Sequence, residues 1–292
     1  MQLGFALLSP DCVLSGNTAR VLRFMSERGF EIVNHRWHQL SVQDINELYV
    51  TNRNARPRSR LDELVDELFS LSASLCCLVT SRDGLSSEEL HRALLEMKGP
   101  SDPFRCRPDQ LRRSLGSTNK IMNLVHTSDT PADSLREAAI FFPDVSARKP
   151  HVDFNSTLAA ILSGGPTAQR SLSGFKILSD LKERALSARL SSKAWSELEC
   201  TMRREREMLS AHTDQVAVFA RLRTLLPQQL LQISAAVTVS DLRALIRRLI
   251  EIASRLPRAA ADSSMSTLEM LEHNGVGVSS WESLVIRVEE AT

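Results

Sequence analysis

The strongest constraint on the fold is a change of pattern near residue 145. Before it, short apolar runs typical of strands alternate with amphipathic helical segments, whereas after it the strand pattern disappears. The strand-like runs are residues 3–8, 30–40, 74–80 and 123–129. Their alternation with helices predicts an α+β fold, a ferredoxin-like α/β sandwich, over residues 1–145.

The second half of the chain predicts helices alone. We expect a linker over residues 146–166, which includes Gly164-Gly165-Pro166, and an all-helical domain over residues 167–292. Within that domain the apolar spacing predicts one long helix from about residue 193 to residue 226, ended by Pro227. Near the C-terminus, Ser266 with Glu269 and Ser279 with Glu282 have the spacing of helix capping boxes.

Charge and composition exclude several classes of function. The formal net charge is +1, so nothing global indicates a nucleic-acid partner or binding to an anionic membrane. No apolar run approaches the roughly 20 residues that span a bilayer, and we expect a soluble, cytoplasmic protein. The five cysteines lack C-x-x-C spacing and support neither a disulfide framework nor a zinc site, so no metal-ligating residues are predicted.

One histidine has surroundings typical of a nucleophile. His126 ends an apolar, strand-like step and is followed by a small polar turn that contains Ser128. The next helical run carries Glu137, which can fold back towards the imidazole ring. A nucleophilic histidine needs a rigid mount, an acceptor for its second nitrogen and small polar neighbours. A solvent-exposed histidine at a strand end is the alternative for a lone residue of this kind.

The stretch of residues 123–143 resembles the active-site segment of nucleoside diphosphate kinases. It has the order Asn-x-x-His-x-Ser-Asp, then a short helix with a glutamate and a Phe-Phe-Pro ending. The resemblance extends over about residues 3–143 and implies a nucleotide-binding phosphotransferase that forms a phosphohistidine. It also implies ATP and other nucleoside di- or triphosphates as ligands, with Mg²⁺ bound to the nucleotide. Kinases of this family are hexamers or tetramers.

The resemblance also implies roles for individual residues. His126 corresponds to the phosphorylated histidine, with Glu137 orienting its ring and Ser128 beside it. Nucleotide-binding positions are implied for Tyr49, Arg92, Ser101, Arg113 and Asn123.

Two departures from the family pattern bear on activity. Ser9 stands where the family has a lysine that places a positive charge on the transferring phosphoryl group, and serine cannot supply that charge. Residues 54–60 hold no aromatic side chain where the family stacks the base. Three functions therefore remain open: an active phosphotransferase, a nucleotide-binding protein with weakened or altered activity, and a non-catalytic scaffold. In the scaffold, the helical half would dock on a larger assembly, and residues 155–292 would be the surface for a protein partner or a second copy.

Overall fold

The computed structural model describes residues 2–117, 119–143, 153–166, 170–171, 173–211, 214–254 and 265–292. The chain divides into two compact units, residues 1–172 and residues 173–292. All eight predicted site residues lie in the first unit.

The first unit is built on a four-stranded sheet of β1 (Gly4–Leu8), β2 (Phe30–His38), β3 (Ser74–Ser81) and β4 (Val125–Thr127). The strand order is β2-β3-β1-β4 and every neighbouring pair is antiparallel. Its helices are α1 (Pro10–Leu14), α2 (Thr18–Glu27), α3 (Val42–Leu48), α4 (Val50–Asn54), α5 (Arg60–Ser70), α6 (Ser87–Lys98), α7 (Leu111–Ser114), α8 (Pro131–Phe141) and α9 (Phe154–Ser163). A 3₁₀ turn spans Pro103–Arg105. This order and topology confirm the predicted ferredoxin-like sandwich.

A hydrophobic core on one face of the sheet, which includes Phe5 and Leu7, fixes the central strands of this unit. Every residue of β1 is buried, because the strand lies between two partners and under helices on the sheet. Phe5 stacks on Phe141 with ring centroids 5.4 Å apart, which ties β1 to α8. Cys76 and Cys77 are buried free thiols within β3, so they act as small core residues.

The predicted linker is wrong in its middle part, where residues 154–163 form the helix α9. Asp153 caps this helix by accepting hydrogen bonds from the backbone N–H groups of Asn155 and Ser156. The helix packs on α2 and β2, and the Trp37 indole donates to the carbonyl oxygen of Ile161 at 3.0 Å. The turn residues that predicted a linker, such as Gly164-Gly165-Pro166, do not indicate this packing, because it depends on contacts with distant parts of the chain. Of the rest of the predicted linker, residues 146–152 lie outside the described residues, and residues 153 and 164–166 belong to no helix or strand.

The second unit is helical throughout its described residues. It contains α10 (Gly174–Arg189), α11 (Ser192–Ala211), α12 (Gln215–Ala236), α13 (Ser240–Ser254), α14 (Thr267–His273) and α15 (Ser280–Ala291). The helix α13 packs on α10, α12, α14 and α15, and its apolar side is buried. Both predicted capping boxes are present, at the start of α14 and of α15. None of the helices in the described part of the chain is both long and apolar enough to cross a bilayer.

The prediction of one helix ending at Pro227 is wrong. Two helices, α11 and α12, cover this region, and Asp214 starts the second by capping the N–H groups of Val216 and Ala217. Pro227 lies inside α12, which continues to Ala236. An interior proline costs about 3 kcal/mol, and burial of apolar side chains on both sides of it, Leu226 and Ile233 among them, offsets that cost.

Candidate active site

His126 lies in the middle of β4, opposite Leu7 of β1. The residue that leads into this strand, Leu124, has a positive φ of 73° and is fully buried. Its N–H donates to the buried carboxylate of Asp11 at 2.9 Å, and its carbonyl accepts from the N–H of Ser9 at 3.1 Å. The end of β1 therefore braces an unfavourable backbone conformation directly before the histidine.

One nitrogen of the His126 ring is held by a carboxylate. Nε2 lies 2.7 Å from Oε2 of Glu137, whose side chain is almost completely buried. Ser128 Oγ donates to the same carboxylate oxygen at 2.7 Å, and Arg136 donates to the other oxygen at 2.9 Å. An ionised carboxylate only accepts hydrogen bonds, so Nε2 carries the ring proton. Nδ1 is then the nitrogen with a free lone pair, as a nucleophile requires.

Aromatic side chains restrict the orientation of the same ring. Tyr49 meets the imidazole edge-on with centroids 5.5 Å apart, and Phe5 lies tilted at 6.4 Å. Burial raises the pKa of the Tyr49 hydroxyl well above its usual value, which keeps that group protonated. The ring of His126 is thus fixed by one hydrogen bond and two aromatic contacts.

His126 opens into a cavity of about 860 Å³, within the range of small-molecule sites. The lining residues are Ser9, Tyr49, Arg53, Ala55, Arg56, Leu61, Asp62, Val65, Leu68, Phe69, Leu95, Lys98, Gly99, Pro100, Ser101, Arg112, Lys120, Ile121, Asn123, His126 and Asp129. The wall thus combines an apolar side, from α5, with several cationic side chains.

The structure brings six of the eight predicted site residues together. Tyr49, Ser101, Asn123 and His126 line the cavity, and Glu137 and Ser128 support the ring from behind.

The other two residues, Arg92 and Arg113, do not line the cavity. Arg92 is exposed on α6, and Arg113 donates to the carbonyl oxygen of Cys106 at 3.2 Å. Their predicted roles as phosphate ligands have no support in this arrangement.

Sequence reasoning missed two cationic side chains, Arg112 and Lys98. Arg112 is 5% exposed and donates to the carbonyl oxygens of Gly99 at 2.7 Å and Val125 at 2.8 Å, oxygens that carry no full charge. It directly precedes the predicted Arg113, and only the turn of α7 decides which of the two faces inward. Lys98 follows Leu90 and Leu94 at four-residue spacing, and this position on the apolar face of α6 was the available signal.

The two departures from the family pattern, Ser9 and the 54–60 segment without an aromatic residue, are both visible in the structure. Ser9 is buried and its hydroxyl donates to Asp11, so it contributes no charge to the site. In the 54–60 segment, Arg56 forms a two-pronged ion pair with Asp62 at 2.7 and 3.0 Å. That pair holds the pKa of the Asp62 carboxyl well below its usual range. The charge of the Arg56 guanidinium is therefore already paired, although its side chain remains 46% exposed.

The residues present fit a magnesium ion that arrives with a nucleotide. No cluster of three or more histidine, cysteine or carboxylate side chains occurs among the residues that the structure describes. Mg²⁺ is commonly held by one or two carboxylates together with substrate phosphates. Asp129, which lines the cavity with a 73% exposed side chain, is a suitable carboxylate.

The chain is similar in sequence to several known proteins over about half of its length or more. The Thioredoxin domain-containing protein 3 homolog of Ciona intestinalis is 29% identical over 146 residues, 49% of this chain and 21% of that protein. Thioredoxin domain-containing protein 6 of Xenopus laevis is 26% identical over 62% of this chain and 27% of that protein. This chain thus spans about a quarter or less of the length of these two relatives. A nucleoside diphosphate kinase of Salinibacter ruber is 28% identical over 48% of this chain and 90% of its own.

The same part of the chain was compared with solved structures, and it matches a family model. A nucleoside diphosphate kinase from Aquifex aeolicus aligns with a TM-score of 0.43 and 22% identity, over 50% of this chain and 99% of that one. The family model described as nucleoside diphosphate kinase matches residues 2–147, which is half of the chain. The chain belongs to the nucleoside diphosphate kinase family.

Proposed function

We propose that the first unit binds nucleoside di- and triphosphates and transfers the terminal phosphoryl group through a phosphohistidine at His126. The observation that carries this proposal is the 2.7 Å bond between His126 Nε2 and Glu137, at a histidine that lines a cationic cavity. Family membership supports the same reaction class and a nucleotide as ligand.

The chemistry follows from the free lone pair on Nδ1. This nitrogen attacks the terminal phosphorus, the bond from that phosphorus to the bridging oxygen breaks, and a nucleoside diphosphate leaves. Glu137 stabilises the positive charge that the ring gains as the new N–P bond forms. A second nucleoside diphosphate then takes the phosphoryl group from Nδ1 by the reverse step. Mg²⁺ carried by the nucleotide would neutralise phosphate charge, with Asp129 as the carboxylate beside it.

Tyr49, Ser101 and Asn123 are assigned to nucleotide contacts because they line the same cavity as His126. The Asn123 amide already has local partners, since its nitrogen donates to the Lys120 carbonyl oxygen at 2.6 Å and its oxygen accepts from Arg112. It is therefore pre-positioned before a ligand binds. Arg56 and Leu61 line the same cavity, and we assign them to contacts with the base.

The test is incubation with ATP labelled at the terminal phosphate, comparing wild type with His126→Ala. We expect acid-labile, base-stable label on wild type and none on the variant. His273→Ala is the matched control, because His273 also pairs with a carboxylate, Asp241 at 3.3 Å, but lies in the second unit. It should take up label like wild type.

Two other outcomes separate the alternatives. If wild type takes up no label but ATP or GDP raises its melting temperature, the domain binds nucleotides without transfer. A ligand at 100 times its Kd should stabilise the fold by about 2.7 kcal/mol. If neither label nor stabilisation occurs, the scaffold alternative remains and partners of residues 155–292 become the question.

A further inference from the structure

The cavity beside His126 lacks a charge from β1. Ser9 lies at the end of that strand, and its hydroxyl is engaged with Asp11. In phosphoryl transfer the negative charge is spread over the three equatorial oxygens of the transferring group, and a pre-positioned cation close to them stabilises the transition state. A different element must supply that cation if the proposed reaction is to proceed at a useful rate.

Lys98 is placed to do so from the C-terminal end of α6. Its side chain is 9% exposed, and Nζ donates to the carbonyl oxygen of Thr127 at 2.8 Å and to Asp129 at 3.4 Å. Thr127 directly follows His126 and ends β4, and Asp129 lies two residues further on, so the ammonium group is fixed at the end of the histidine's own strand. An ammonium has three N–H donors, and these bonds use two of them. The third is left for an anion in the cavity that Lys98 and His126 both line.

The charges around Lys98 favour an incoming anion. Arg112 lines the same cavity, and its hydrogen-bond acceptors among the described residues are uncharged oxygens of Gly99, Asn123 and Val125. The carboxylate nearest to Lys98, Asp129, is mostly exposed and its effect is screened by solvent. Burial and the neighbouring Arg112 lower the pKa of Lys98 to about 8, so the ammonium form predominates at neutral pH. A bound phosphate would relieve the repulsion between these two cations.

We propose that Lys98 supplies the positive charge on the transferring phosphoryl group that Ser9 does not provide. The cation of the site then comes from the end of α6 instead of the end of β1. This inference rests on the proposed phosphotransfer at His126 and names a further residue of that reaction.

The experiment compares the initial rate of label uptake from ATP in wild type, Lys98→Gln and the double variant Lys98→Gln with Ser9→Lys. Glutamine keeps an N–H donor for the Thr127 carbonyl oxygen but removes the charge. We expect Lys98→Gln to label roughly 10²–10³-fold more slowly, the usual effect of removing one transition-state donor. The double variant should recover at least tenfold, because a lysine at residue 9 returns the charge from β1.

Arg107→Met is the charge-removal control. Arg107 lies between Lys98 and Arg112 in the chain, its side chain is 54% exposed, and it pairs with Glu96 and Asp109 without lining the cavity. It should label within about twofold of wild type. Melting temperatures of all variants show whether each one folds.

The proposal is overturned if folded Lys98→Gln labels at the wild-type rate, or if Ser9→Lys restores nothing to it. A failure of phosphotransfer itself is recognised separately, because wild type would then take up no label. In that case the ratio of ATP to ADP affinity, measured by calorimetry, shows whether Lys98 binds the terminal phosphate. Tighter binding of ATP that disappears in Lys98→Gln supports Lys98 as the ligand of the terminal phosphate. An unchanged ratio, or no binding of either nucleotide to wild type, overturns it.

Discussion

Replacing Glu137 with glutamine tests the orientation of the His126 ring. The side chain keeps its shape but exchanges one acceptor oxygen for an NH₂ donor. Arg136 can only donate, and it contacts Oε1 of Glu137 at 2.9 Å, so the amide oxygen is drawn to that side. The NH₂ group then faces His126 Nε2 and donates to it. The ring proton must move to Nδ1, which removes the nucleophilic lone pair.

The expected magnitude follows from this geometry. Losing only the charge of the acceptor would cost about 1–1.5 kcal/mol, roughly tenfold in rate. Forcing the wrong tautomer is more severe and has lowered turnover by about 10⁴ in a serine protease. We therefore expect Glu137→Gln to form phosphohistidine about 10³-fold more slowly. Its affinity for ATP should be unchanged, because Glu137 lies behind the ring and does not line the cavity.

Rapid-quench measurement of label uptake, with calorimetry for ATP binding, separates these two quantities. The second-site control is Arg136→Met, which releases the amide to rotate its oxygen back towards His126. The double variant should therefore label about tenfold faster than Glu137→Gln alone. Labelling by Glu137→Gln within threefold of wild type, or a double variant slower still, would refute the assignment of the ring proton.

Three further predictions concern charge and packing. Because burial and Arg112 lower the pKa of Lys98 to about 8, its positive charge is lost as the pH rises through that value. The ATP affinity of wild type should therefore fall above pH 8, whereas the ATP affinity of Lys98→Gln should not. Calorimetry across this pH range compares the two. A Cβ added at Gly165 would overlap the Trp37 ring, whereas a Cβ added at Gly164 would make an ordinary contact at 3.5 Å. Gly165→Ala should therefore lower the free energy of unfolding by about 1–3 kcal/mol, and Gly164→Ala should change it little. Thermal unfolding measures both variants. Glu205→Ala leaves the buried Lys182 ammonium without its carboxylate partner at 2.5 Å. It should lower the free energy of unfolding, measured in urea, by about 3–5 kcal/mol. Glu207→Ala, the control at an exposed glutamate, should have little effect.

Local pattern was sufficient for the sheet and for the centre of the site. The strands are short apolar runs bounded by turns, so their existence follows from neighbouring residues alone. His126 and Glu137 are eleven residues apart on adjacent elements, and a strand followed by a helix returns one towards the other. Such features depend on nearby sequence, and sequence analysis identified them.

Features that depend on tertiary packing were not predictable in the same way. Lys98 looks like an ordinary basic residue at a helix end, and its burial arises only because α6 lies against β4. The choice between Arg112 and Arg113 depends on the rotation of the four-residue helix α7. Glu205 interrupted an apolar spacing in the sequence, and the structure pairs it with Lys182 and Gln229 inside the second unit.

The two kinds of interaction at the site differ in how freely they can be relocated. A hydrogen bond that sets a tautomer requires one acceptor atom at one nitrogen, and Glu137 meets that condition at 2.7 Å. A cation acts through a Coulomb interaction that falls slowly with distance and has little directional preference. Any element that reaches the cavity can carry it. In the proposed mechanism, α6 provides Lys98 in place of a lysine from β1, whereas loss of Glu137 has no comparable substitute among the described residues that contact the ring.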